Sequence, residues 1–135
     1  MPIYEKTTGT KKYEYLKSQE GIFLPITLAE GAVSADADGN KIVIPGTVLA
    51  IITSGTDADK YGPYSTTAAD GRQTTSNIKC LLDTYANLKD GDLEVGGLFE
   101  GHVETAKVTS DGVKGTVSDA VKNALRSQTS DVHFH

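Results

Sequence analysis

Few side chains in this chain have the type and spacing to do chemistry. Cys80 is the single cysteine. A thiol nucleophile needs an electropositive, accessible setting and a nearby base. The surrounding Ile78-Lys79-Cys80-Leu81-Leu82 instead reads as an apolar strand that buries a structural thiol. His102 stands on a strand pattern after Gly101, with no partner evident in sequence for general-base work. His133 and His135 have the i, i+2 spacing that puts two imidazoles on one side of an extended segment. Two ligands on a short tail, 131–135, make a weak metal site, since zinc sites use three or four. Asp36-Ala37-Asp38-Gly39-Asn40 carries part of a calcium-loop pattern. It lacks a third acidic position and the downstream bidentate Glu, so a plain turn is expected. No nucleophile elbow, phosphate loop, dinucleotide fingerprint or zinc-protease helix occurs. Gly96-Gly97 has no basic residue beside it and reads as bulge geometry rather than phosphate binding. The expectation is no catalytic, cofactor-binding or metal residue, and no enzyme, because no acid–base pair suggests itself.

Two further groups of residues could serve binding. Asp59-Lys60 has the look of the modified lysine at a hairpin tip in small β-sandwich carrier domains. Gly91-Asp92-Leu93-Glu94-Val95 is similar to the strand openings of those domains. Gly62-Pro63 follows the lysine at once, however, and Pro breaks the strand a symmetrical hairpin needs. Tyr4, Tyr13 and Tyr15 are isolated aromatics in a polar, charged stretch, residues 1–20. That stretch holds too little apolar area to offset the entropy of ordering it. It reads as an arm, flexible when free, that orders on a partner with the three tyrosines as anchors. A frayed terminus is the plain alternative.

The elements that position these residues follow from turn chemistry and periodicity. The chain is organised around residues 42–64, whose Thr47-Val48-Leu49-Ala50-Ile51-Ile52-Thr53 is the longest apolar, β-branched run. About seven residues is short for a helix, and the run is too apolar for a half-solvated strand, so a central strand is expected. Pro45-Gly46 turns the chain into it. Residues 21–28 form an apolar strand interrupted by Pro25, which belongs at a sheet edge or bend. Residues 78–83 read as a second buried strand, and 93–103 as a bent or bulged one. One helix is expected over 117–127. Ser118 or Thr116 caps it, Asp119 sits in its first turn, and Val117, Val121, Ala124 and Leu125 share a face. The fold class is α+β, mainly β: an N-terminal arm, 1–20, and one β-rich domain, 21–135.

Composition bounds the partners. A chain of 135 residues favours one domain with a true core, built from Val, Ile, Leu and Ala since Trp is absent. A net charge of −5 argues against duplex nucleic acid as a partner. A lone cysteine excludes an internal disulfide. No stretch approaches the roughly 18 apolar residues of a membrane span. The N-terminus shows no signal-peptide core, so synthesis in a reducing cytoplasm is expected.

Laid out in order, the chain resembles the lambda-type head decoration proteins, which cement the capsids of tailed bacteriophages. The resemblance covers roughly residues 20–130. Phe23-Leu24-Pro25-Ile26 comes first, then Gly46-Thr47-Val48-Leu49. Lys60-Tyr61-Gly62-Pro63-Tyr64 precedes Ala68-Ala69-Asp70-Gly71. The strand at 78–82, Gly91-Asp92, and Gly101-His102-Val103 follow. Residues 121–128 end in Leu125-Arg126-Ser127-Gln128, similar to the family's closing Leu-Arg-x-Gln helix. Three departures are Ser76-Asn77-Ile78-Lys79-Cys80-Leu81, where Ala-Val-Gly-Ile-Leu is usual, a Gly-rich turn added at 109–116, and the arm, which has no clear counterpart. The resemblance implies a small β-barrel-like domain with a minor helical part. It also implies a homotrimer on the outer capsid surface at three-fold and quasi-three-fold positions. There it braces the major capsid protein of the expanded shell against internal DNA pressure, with the N-terminal arm pairing to capsid strands. Cofactors, nucleic acid and membrane have no part in that role, and the protein's place is the virion. The alternative is a β-rich tail or carbohydrate-binding module.

Overall fold

The computed structural model describes residues 15–127 and 130–135. The elements in chain order are β1 (Leu16–Leu28), β2 (Ile42–Val43), β3 (Val48–Ile51), β4 (Tyr61–Pro63), β5 (Ile78–Leu82), β6 (Ala86–Asn87), β7 (Leu93–Val103), β8 (Thr109–Ser110), β9 (Val113–Lys114), α1 (Asp119–Ala124) and β10 (Asp131–Phe134). The fold is mainly β with a single α-helix among the described residues, as the sequence pattern indicates. Six strands form one sheet in the order β1-β4-β3-β5-β7-β10, and β1 also pairs with β7, so the first five close into a ring. β2 pairs with β6, and β8 with β9, as two small outlying ribbons.

β3 is the hub of the ring, antiparallel to β4 on one side and β5 on the other. Its residues alternate between two buried clusters. Val48 and Ala50 join Tyr64, Leu98, Val108, Val121, Leu125 and Val132 on one face. Leu49 joins Ile26, Leu28, Cys80, Leu82 and Leu88 on the other. A strand covered on both faces needs apolar residues at every position, which explains the unbroken run. β5 divides the same way: Ile78 and Leu81 face the first cluster, Cys80 and Leu82 the second. Between them Leu49 pairs with Cys80, but Ala50 pairs with Ile78. Lys79 is therefore the extra residue of a bulge, which lets a lysine sit inside an otherwise buried strand.

β7 is bulged as expected, but not at its glycines. Ile22 pairs with Glu100 and Phe23 with Leu98, so Phe99 is the extra residue. Gly97 serves close packing instead: a Cβ there would stand 2.9 Å from Cys80 Sγ. Gly46, at φ +88°, makes the expected turn into β3. Its missing Cβ also admits Tyr15, whose own Cβ would lie 2.7 Å from one placed there.

Three expectations need correction. The domain does not begin at residue 21, because β1 starts at Leu16 and both Tyr15 and Leu16 are buried in the first cluster. The ladder to β7 supplies the long-range pairing that local polarity could not reveal. The helix spans only Asp119–Ala124, with Ser118 as the cap accepting from the Val121 N–H at 3.3 Å. Val117 and Leu125 lie outside the helix and still reach the core, as their apolar spacing indicated. Residues 131–134 are a strand, not a tail: β10 runs parallel to β7, pairing His133 with His102. Val132 is fully buried, and that apolar anchor draws the segment onto the sheet.

Candidate functional site

Of the three tyrosines expected to anchor an arm, Tyr4 and Tyr13 lie outside the described residues. Tyr15 is 1% exposed, and its hydroxyl donates to Asp83 Oδ1 at 2.6 Å. It is a core residue with a satisfied polar tip, so it is not available as a surface anchor. Burial pushes the Asp83 carboxyl above its ordinary value, and the Tyr15 hydroxyl pulls in the opposite direction.

The surface next to that point is unusual in a way the sequence did not show. β1 is laddered to β7 along one edge, while among the described residues its other edge pairs only at Leu28, with Tyr61 of β4. Residues 21–25 are all exposed. Three of them are large and apolar, Ile22 at 47%, Phe23 at 37% and Leu24 at 46% exposure. Pro25, which has no N–H to donate, stands in the same stretch, as expected of an edge strand. An open edge offers unpaired backbone groups to another strand, and an adjacent apolar row adds area to bury. The residues themselves were legible as a strand. Their exposure was not, because alternation says nothing about what covers each face.

The ionisable groups around the opposite end of β1 are engaged in holding the ring together. Asp92 accepts from the Glu30 N–H at 2.7 Å and from Lys60 Nζ at 2.6 Å. The backbone bond first, and Lys60 second, hold its carboxyl below the usual range. Lys60 also meets Asp57 at 3.3 Å, and its hydrogen bonds to Asp92 and Asp57 push its ammonium up. This keeps Lys60 charged and tied between β4 and β7, in contrast to the free tip amine of a carrier domain. Asp36 closes a turn, its Oδ1 accepting from the Asp38 and Asn40 N–H groups at 2.9 Å each. Cys80 is fully buried, and burial pushes its thiol far up, the opposite of an activated nucleophile.

The histidines, dispersed in sequence, meet in space. Because β10 lies beside β7, His102 stacks on His133 with centroids 4.9 Å apart and planes 18° from parallel. His102 Nδ1 and His135 Nε2 are 2.8 Å apart. His133 Nε2 lies 3.1 Å from Asp131 Oδ1. No sequence signal links His102 to the other two, since strand order, not spacing, joins them.

No family model matches the chain, and no curated protein matches it.

Proposed function

We propose that this chain is a capsid-decoration protein of a tailed bacteriophage. In this reading it binds the outer surface of the expanded shell as a homotrimer at three-fold and quasi-three-fold sites. It contacts the major capsid protein and braces the shell against internal DNA pressure. The observation that carries the reading is the open edge of β1 with its exposed Ile22, Phe23 and Leu24, which follows directly on the N-terminal segment. Strand addition at such an edge supplies main-chain hydrogen bonds, and the apolar row supplies buried area. Tyr4 and Tyr13 remain the proposed anchors of the arm; Tyr15 is withdrawn from that role. The ordered resemblance in sequence supports the same reading.

The mechanism is linkage. A ligand that binds only the expanded shell makes loss of that shell more costly. Three chains on one trimer act together, so weak single contacts add to a firm hold. A net charge of −5 keeps crowded trimers soluble through mutual repulsion.

Co-sedimentation of the purified protein with expanded, undecorated capsids of the cognate phage tests this. Saturable binding near one copy per major capsid subunit is expected. Leu24→Asp should weaken binding at least tenfold while leaving the melting temperature of the free protein within about 2 °C of the parent, as for an exposed substitution. Failure of the folded parent to bind would refute the capsid reading and favour a tail or carbohydrate-binding module.

A further inference from the structure

The histidine cluster sits on the β7–β10 ladder, at the end of β7 where Gly101 also pairs with Gly21 of β1. We infer that His102 and His135 form a chelating pair for a divalent transition metal ion of the zinc, nickel and copper class. This inference is independent of the capsid reading.

The argument begins with the strands. β7 and β10 are parallel and in register, His133 opposite His102 and Phe134 opposite Val103. The His135 N–H then donates to the Val103 carbonyl at 2.9 Å, which extends the ladder and fixes the backbone of the second imidazole. Val103 and Val132 anchor both strands in the core. The two histidines therefore project from a rigid backbone while their rings remain exposed. A fixed backbone, with His102 stacked on His133, pre-orients the ligands as a chelate requires.

The distances suit a metal after a small ring movement. Two imidazole nitrogens on a tetrahedral zinc, each about 2.0–2.1 Å from the ion, stand roughly 3.3 Å apart. His102 Nδ1 and His135 Nε2 begin at 2.8 Å. A swivel of the two rings opens that gap by about half an ångström. One of these nitrogens now donates a proton to the other. On metal binding that imidazole takes its other tautomer, with the proton on its second, outward nitrogen. Both facing lone pairs are then free for the ion, and a neutral pair loses no proton overall.

His133 supports this pair without joining it. Its ring lies flat against His102 and its Nε2 faces Asp131. Among the described residues no three His, Cys, Asp or Glu side chains converge on one point. The protein thus offers two nitrogens, and water fills the remaining positions. Imidazole donors favour copper above nickel and zinc, while magnesium and calcium prefer oxygen ligands.

Titration of the full chain with zinc chloride and nickel chloride at neutral pH, followed by calorimetry and by melting temperature, tests the inference. One saturable site per chain is expected, with zinc raising the melting temperature of the parent. His102→Ala and His135→Ala should each weaken binding at least tenfold and abolish the zinc-induced shift, and magnesium should do nothing. His102→Gln, close in size, gives the same loss and guards against a folding defect. Absence of saturable zinc or nickel binding would overturn the inference, as would a site retained in both alanine variants.

Discussion

Replacing Tyr15 by Phe removes one oxygen from the core and leaves its packing in place. The lost group is the hydroxyl that donates to Asp83 at 2.6 Å. A hydrogen bond to a charged partner contributes about 1.5–3 kcal/mol. Asp83 is only half-buried, so solvent softens the loss and the lower half of that range applies, about 2 kcal/mol at neutral pH. The effect depends on pH in a definite direction. Burial raises the Asp83 carboxyl in the folded state. Its contribution to stability is therefore fully present below the unfolded value and is lost as pH rises through the folded one. The Tyr15 bond limits that loss by favouring the carboxylate. Without it the folded carboxyl moves higher still, and more stability is lost at neutral pH. In acid, with Asp83 protonated, only a neutral hydrogen bond of about 1 kcal/mol is missing. Urea denaturation of parent and variant at neutral pH and near pH 3.5 measures both quantities. The expected neutral penalty corresponds to a fall in melting temperature of roughly 6 °C for a domain of this size. A neutral penalty under about 0.5 kcal/mol, or one that grows toward acid, would refute the reasoning.

Other outcomes follow from the same geometry. Leu125→Asp puts a carboxylate where the side chain is 0% exposed, and should cost more than about 3 kcal/mol or prevent folding; melting within 2 °C of the parent would contradict its burial. Gly97→Ala forces a methyl to 2.9 Å from the buried Cys80 sulfur and should destabilise by about 1–3 kcal/mol. Cys80→Ala in the same chain should relieve part of that, and strict additivity in a double-mutant cycle would count against the contact. Deleting residues 1–14 should, on the capsid reading, weaken shell binding at least tenfold. Deleting 1–17 should destabilise the free domain as well, because it removes the buried Tyr15 and Leu16. Equal stability of the two truncations would place both residues outside the core.

The sequence by itself determined the local grammar. Pro45-Gly46 set a turn, the β-branched run at 47–53 held the shorter buried strand Val48–Ile51, and Pro25 marked an edge strand. Val117, Val121 and Leu125 marked a face that reaches the core even though the helix between them is short. All of these depend on backbone preference and near-neighbour periodicity, which operate within a few residues. Tertiary structure alone decided the rest. Tyr15 looked like an arm residue because its neighbours in sequence are polar, but its packing against Gly46 and bond to Asp83 come from distant strands. Lys79 fits a buried strand only because a bulge forms against β3. His102 and His135, 33 residues apart, meet because β10 settles beside β7. Strand pairing across such distances is a property of the whole ring, and no local pattern encodes it.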